Sequence, residues 1–197
     1  MRALAAATLG LLFASCATPP ARAPKARVMD LPGCRLVLPE WWDEVHVTLP
    51  EGVRDHDDVR TYVTATYGAD TGTPGTWREA LKTWALAAKR GGFYPVYVAH
   101  AYAVGGRHAE AARVFAALQR SSGTQGDLAD WYGCYLAYSA GLEFLANHDL
   151  EAARRFWRLA AAYRGSSDGA VHYYAERSSA ALADLDAGRP VLREHRD

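Results

Sequence analysis

The sequence predicts a mainly α-helical protein in which antiparallel helical hairpins stack as a short solenoid, with a small N-terminal β-hairpin or extended segment. Half of the 197 residues are hydrophobic, which is enough to build a core. One pattern also occurs three times along the chain, beginning at Gly75, Gly106 and Asn147. Self-similarity at spacings of this order is typical of stacked helical units.

Each copy of the pattern has the features of a turn followed by a helix. The opening residues, two glycines and an asparagine, tolerate a positive φ and so permit a tight turn. A glutamate follows in the first helical turn, where the helix dipole favours an acid. A small residue, an aromatic residue and an apolar residue then recur at i, i+4 and i+7, on one helix face. These positions are Ala80, Trp84 and Ala87; Ala111, Phe115 and Leu118; and Ala152, Phe156 and Leu159.

The repeated segments resemble the tetratricopeptide repeat family, whose period is about 34 residues. Ala99 and Tyr102 in the first preceding helix, and Ala140 in the second, match the small and aromatic packing positions. The resemblance covers two repeats and one half-repeat, about residues 76–163, with an insertion at 121–126. It implies a concave groove, lined by the first helix of each pair, that binds peptides or partner helices.

The resemblance also assigns residues to this groove. The same side chains might instead pack between helices or under the N-terminal hairpin. The expected lining residues are Phe93, Val96 and His100 from the first pair, Ala137, Gly141 and Phe144 from the second, and Tyr173 and Arg177 from the last helix.

Residues 1–15 are typical of an export signal. Arg2 supplies the positive start, and the apolar run to Phe13 is too short to span a bilayer. Small residues directly before Cys16 resemble the lipobox of bacterial lipoproteins. This resemblance implies cleavage before Cys16, its lipidation, and anchoring at the periplasmic face of the outer membrane. The alternative is an ordinary secretory signal in which Cys16 is incidental. The proline-rich and basic residues 16–30 are expected to form a tether.

The segment 31–75 is expected to pack on the helical domain. Cys34–Leu38 and Glu44–Leu49 are alternating runs that predict a hairpin or two edge strands. Trp41 and Trp42 would lie at its tip, either as core residues or as a stacking platform for a ligand. Asp55 to Asp58 reads as a helix start, capped by Asp57 or Asp58, in preference to a cation site. Helix and strand remain open for Val59–Tyr67.

Residues 76–189 form the predicted helical domain, followed by a tail at 190–197. Thr76 opens a capping box, and Asp127 caps a helix that runs to about Ala146. Ser166 or Ser167 starts a last helix, which ends at Gly188 and Pro190. Such a single terminal helix caps a repeat stack.

Cys34 and Cys134 are candidates for a disulfide. An exported chain meets an oxidising compartment, where two cysteines can pair. A bridge between them would close a loop of about 100 residues and stabilise the fold by a few kcal/mol. Two buried free thiols are the alternative.

No catalytic motif of a common enzyme class is present. The seven histidines are scattered, with His108 and His148 in turns that should face solvent. We therefore expect no enzyme, no cofactor and no metal site. The zero net charge gives no indication of nucleic-acid binding. The predicted function is a membrane-anchored, non-catalytic scaffold that binds an envelope protein. The alternatives are a cell-wall saccharide-binding or hydrolytic accessory lipoprotein and an immunity-type lipoprotein.

Overall fold

The computed structural model describes residues 26–53, 55–67, 75–89, 94–122 and 129–191. It confirms a mainly helical protein with a small N-terminal antiparallel sheet. Short 3-10 turns follow the sheet at Glu40–Asp43 and precede the last helix at Ala162–Gly165. The strands are β1 (Val28–Leu31) and β2 (Cys34–Val37), and the helices are α1 (His56–Tyr67), α2 (Trp77–Ala88), α3 (Tyr94–Val104), α4 (His108–Ser121), α5 (Ala129–Ala146), α6 (Leu150–Ala161) and α7 (Gly169–Asp186).

The helices pack mainly on their neighbours in sequence, from α2 through α7, and α7 also packs on α5. The connections from α3 to α4 and from α5 to α6 are three residues long, so each pair forms an antiparallel hairpin. Within each hairpin the first helix is the more buried one. No residue of α5 from Trp131 to Ala146 is exposed, whereas α4 and α6 each keep one charged outer side.

Helices α3, α5 and α7 end in the same left-handed turn. The φ angle is +69° at Gly106 and +67° at Gly188. In the turn after α5, however, the left-handed residue is His148 (φ +60°) and not the predicted Asn147. In all three turns the next amide donates to a carbonyl five residues back, for example from Arg107 to Tyr102 at 2.8 Å. These are Schellman motifs, which satisfy carbonyls at the helix end.

The turn at His148 moves the third copy of the repeat one position further along the chain than the sequence predicts. On α6, Ala153, Trp157 and Ala160 are fully buried. The predicted Ala152 and Phe156 are buried as well, at 9% and 3% exposure, so these two positions are confirmed. Leu159, predicted to be in the core, is 42% exposed, so that part of the pattern was wrong.

The sheet is a hairpin of β1 and β2, with Val28 opposite Val37 and Leu31 opposite Cys34. The prediction of a strand at Cys34 was right, but its partner was wrong. Residues 44–49 form no regular element, because β2 pairs with the segment before it across a turn at Gly33 (φ +76°). Strand β1 also includes Val28–Asp30, which the sequence pattern assigns to the tether. The open segment Val59–Tyr67 is helical and belongs to α1.

The residues after the sheet are fastened to α2. The Lys82 ammonium donates to the backbone oxygens of Trp42 at 2.7 Å and Val45 at 2.6 Å. The Trp41 ring meets the edge of Trp77 at 5.3 Å between centroids. Since β2 also packs on α4, the N-terminal segment 28–49 lies over α2 and α4.

Aspartates cap three of the described helices, and for α1 and α7 the cap differs from the predicted one. Asp55 accepts from the Asp58 amide at 2.9 Å, so it caps α1 in place of Asp57 or Asp58. Asp168 caps α7, and the predicted Ser166 and Ser167 precede it. Asp149 caps α6, while Thr76 precedes α2 without a side-chain cap bond. The predicted cap Asp127 lies outside the described residues.

Candidate functional site

The candidate site is a row of aromatic side chains across α3, α5 and α7. Six aromatic rings from these helices and the His100 imidazole form a connected set, in which each ring contacts the next one in space. Tyr135 is buried, Tyr173 is exposed, and the others are half-buried. We call this set the aromatic row. It consists of Tyr97, His100, Trp131, Tyr135, Tyr138, Tyr173 and Tyr174.

Helix periodicity brings these side chains to one side of the molecule. Tyr97 and His100 are three residues apart on α3, so they share a face. On α5, Trp131, Tyr135 and Tyr138 follow the i, i+4, i+7 spacing of one helical stripe. Trp131 and Tyr138 are half-buried, whereas every residue between Trp131 and Tyr138 is buried.

The rings form a continuous series of contacts. The centroid of His100 lies 6.1 Å from Tyr97 and 6.3 Å from Tyr135. Tyr135 is parallel to Trp131 at 5.7 Å and meets the edge of Tyr174 at 5.3 Å. Offset or edge-on pairs at such distances contribute about 0.5–1.5 kcal/mol beyond the area they bury. The row is therefore a rigid surface.

A hydrogen bond fixes the middle of the row. The His100 Nε2 and the Tyr135 hydroxyl are 2.6 Å apart, which joins α3 to α5. His100 also packs edge-on against Phe115 at 5.2 Å. These contacts hold both side chains in place, so this part of the row is preorganised for binding.

One end of the row carries a positive charge. Arg177 lies 5.0 Å from the centroid of the Tyr173 ring, one helical turn away on α7. Tyr173 is 49% exposed. Tyrosine and arginine are enriched among residues that dominate protein interfaces.

The structure places the predicted groove residues in different surroundings. His100 and Tyr173 belong to the aromatic row, and Arg177 adjoins it. Val96, Ala137 and Gly141 are instead buried in the helix packing, so they offer no surface to a partner. Phe144 stacks on Phe156 of α6 at 5.3 Å, and Phe93 lies outside the described residues. Val96, Ala137 and Gly141 are buried because α3 and α5 pack against several neighbouring helices, which one sequence pattern does not indicate.

The predicted site omitted five members of the row: Tyr97, Trp131, Tyr135, Tyr138 and Tyr174. The i, i+4, i+7 spacing of aromatic residues on α5 is visible in the sequence. On its own, however, that spacing indicates only a long helix with one apolar face.

The tryptophan pair considered as a ligand platform is buried. Trp41 is 8% exposed and Trp42 is 5% exposed. The Trp41 ring is covered by Trp77, and the guanidinium of Arg78 lies 5.2 Å from its centroid. A sugar ring therefore cannot stack on either indole in this arrangement, and the core interpretation is the right one.

Cys34 and Cys134 are free thiols in the structure, and the possible disulfide between them stays a prediction. The Cys134 sulfur points towards the carbonyl oxygens of Ala160 and Val171, each at 3.6 Å. Cys34 lies on β2, which packs on α4 instead. Burial raises the pKa of both thiols to about 11, which keeps them protonated and unreactive at neutral pH. The lipidation candidate Cys16 lies outside the described residues.

His108 was expected to face solvent, but it bonds with an acid. Its Nδ1 lies 2.6 Å from Glu143 of α5. This contact gives Glu143 a structural partner on α4. The interaction ties the two hairpins together near the turn at Gly106.

Among the residues that the structure describes, no three His, Cys, Asp or Glu side chains come together as a metal site. In the same ranges, no helix has both the length and the apolar character needed to cross a membrane.

No protein-family model, no curated protein and no solved structure matches this chain. Its function is therefore inferred from its own residues.

Proposed function

We propose that the protein is a membrane-anchored, non-catalytic scaffold of the bacterial cell envelope that binds a partner protein along the aromatic row. The observation that carries this proposal is the row itself. Three helices contribute rigid, partly exposed aromatic side chains to one face. Aromatic anchors of this kind provide contact area at a low cost in conformational entropy.

The order of the helices supports the proposal. The row lies on α3, α5 and α7, while the N-terminal segment lies over α2 and α4. In a tetratricopeptide-like solenoid, the first helices of the pairs line the concave binding face. We propose that architecture here, with α3/α4 and α5/α6 as the two repeats and α7 as the terminal helix. Equivalent Schellman turns after α3 and α5 favour it.

The saccharide-binding alternative loses its original support, because Trp41 and Trp42 are buried and the acidic cluster caps a helix through Asp55. The immunity-type alternative is a special case of partner binding in which the partner is a toxin. We therefore retain one proposed activity, the docking of a protein.

Site-specific photo-crosslinking in cells tests the docking face. A photoreactive residue replaces Tyr173 in the row or, as a control, the exposed Glu151 on α6. We expect one discrete protein adduct from position 173 and none of the same mass from position 151. Identical adducts from both positions, or none from position 173, would contradict docking along the row.

The anchor has its own test. Cells fed a palmitate analogue should label the unmodified protein, whereas the Cys16→Ser variant should remain unlabelled. Labelling that persists in the variant would place the lipid on another residue. Absence of label in both would contradict the lipoprotein assignment and leave the docking face untouched.

A further inference from the structure

The outer sides of α4 and α6 form a second surface, which is strongly basic. Arg113 and Arg120 on α4, and Arg155 and Arg158 on α6, are all exposed. None of the four forms an ion pair within the described part of the chain. We call these four residues the arginine face.

Repeat geometry places the two halves of the arginine face on the same side. The turns after α3 and α5 close through the amides of Arg107 and Asp149, which are therefore equivalent residues of the two hairpins. Arg113 follows Arg107 at the same separation at which Arg155 follows Asp149, so these two arginines are equivalent as well. Equivalent positions in stacked hairpins point in a common direction.

Charge is distributed unequally between the two sides. Helices α4 and α6 carry five arginines and two glutamates. Helices α3, α5 and α7 carry one arginine and five acidic residues. The zero net charge of the whole chain conceals this difference. Four of those five acids contact a basic side chain, namely Glu143, Glu176, Asp184 and Asp186. The residues of the arginine face have no such partner in the described chain, so this face attracts anions.

We propose that the arginine face rests on a bilayer surface with anionic phospholipid headgroups. This proposal deepens the proposed function, because it rests on the lipid anchor at Cys16. Eleven residues lie between Cys16 and Val28, so the connection has twelve Cα–Cα steps and a reach of at most about 40 Å. It leads into the β1–β2 hairpin, whose Gly33 lies against Leu118 and Ser121 of α4. The hairpin that follows the anchored end of the chain therefore packs on α4, one of the two helices that carry the arginine face.

An exposed apolar residue adjoins the arginines. Leu159 is 42% exposed on α6, directly after Arg158 and one turn from Arg155. Basic residues beside an outward leucine are typical of helices that lie at a membrane surface. In this orientation the aromatic row faces away from the bilayer, where a protein partner can reach it.

Vesicle binding tests the arginine face in the absence of the covalent lipid anchor. The mature chain, residues 16–197 with Cys16→Ser, retains every described helix and strand. It is mixed with vesicles of neutral lipid, or with vesicles in which phosphatidylglycerol replaces about a third of that lipid, and the bound fraction is measured by sedimentation. We expect binding only to the anionic vesicles, weakened by salt. A basic residue near such a surface contributes a factor of roughly five in affinity.

A matched pair of variants tests whether the arginine face is the part of the protein that binds the vesicles. The triple variant Arg113→Gln, Arg155→Gln and Arg158→Gln should lose most of the binding. A variant with the same change of charge elsewhere, Arg164→Gln with Arg189→Gln and Lys89→Gln, should retain it. Equal losses in both, or binding that ignores lipid charge, would overturn the proposal. Because this chain lacks Cys16, a negative result here is separate from a failure of palmitate labelling.

Discussion

Gly141 shows how a single small residue determines the packing of two helices. A Cβ atom added to Gly141 would lie 2.4 Å from the Trp157 indole, closer than any real contact. The glycine allows the large ring of α6 to lie directly on the backbone of α5. Gly105 accommodates Trp77 of α2 in the same way.

The first prediction concerns this close approach. Gly141→Ala should lower the free energy of unfolding by about 1–3 kcal/mol, because the methyl group displaces the buried Trp157 ring. Gly165→Ala is the matched control, since a methyl group added there would have no neighbour within 4 Å. Chemical denaturation of both variants provides the comparison. Equal stability would show that Trp157 moves aside without cost.

At the scale of single residues, the sequence pattern predicted which positions are apolar. It did not predict which of these positions are buried between two helices. Ala137 and Gly141 were expected to line a groove, and both are buried between helices. A hydrophobic stripe indicates one buried face only. It does not reveal that α5 is enclosed by α4, α6 and α7, because those contacts depend on the complete arrangement.

At the scale of elements, helix starts depend on local hydrogen bonds that one-residue shifts can change. The Asp168 carboxylate accepts from the amides of Ala170 at 2.8 Å and Val171 at 3.0 Å. It thereby satisfies two of the free amides at the start of α7. Serines and aspartate are all good cap residues, so their identity alone did not distinguish Asp168 from Ser166 or Ser167.

The second prediction tests this cap. Asp168→Ala should destabilise the protein by about 1 kcal/mol, because two amides lose their acceptor. Ser167→Ala, one residue earlier, should change the stability by less than about 0.5 kcal/mol. Thermal unfolding of the two variants separates the assignments. A larger effect at Ser167 would mean that the helix begins earlier than described.

Turn chemistry explains why the repeat register was misjudged by one residue. Asn147 and His148 are adjacent, and asparagine is the more common residue at positive φ. The left-handed conformation nevertheless occurs at His148. The following Asp149 caps α6 by accepting from Ala152 at 3.0 Å. The cap and the turn act together, and a residue-by-residue preference does not capture this coupling.

At the scale of the whole molecule, the N-terminal segment and the helices form one core. Leu31, Leu36 and Trp42 are buried in the same cluster as residues of α2 to α5. Lys82 contributes to this attachment through two charged hydrogen bonds and by lying 5.2 Å from the Trp42 ring. Long-range contacts of this kind were not predictable from the local pattern.

The third prediction concerns the attachment. Lys82→Met keeps the aliphatic stem but removes the ammonium, so we expect a loss of roughly 1–3 kcal/mol. Hydrogen exchange should rise first in residues 39–49, while α5 and α6 remain protected. Lys89→Met, at the exposed end of α2, is the control. Uniform exchange across the chain would show that the segment and the helices unfold together.

The recurring left-handed turns define a stretch of chain that could be duplicated. Since α3 and α5 end in the same arrangement, the stretch from Arg107 to His148 begins and ends in equivalent geometry. A duplicate of this stretch placed after His148 would meet matching termini on both sides. Such a duplicate would add a second set of the aromatic residues of α5 and of the arginines of α4 to the chain.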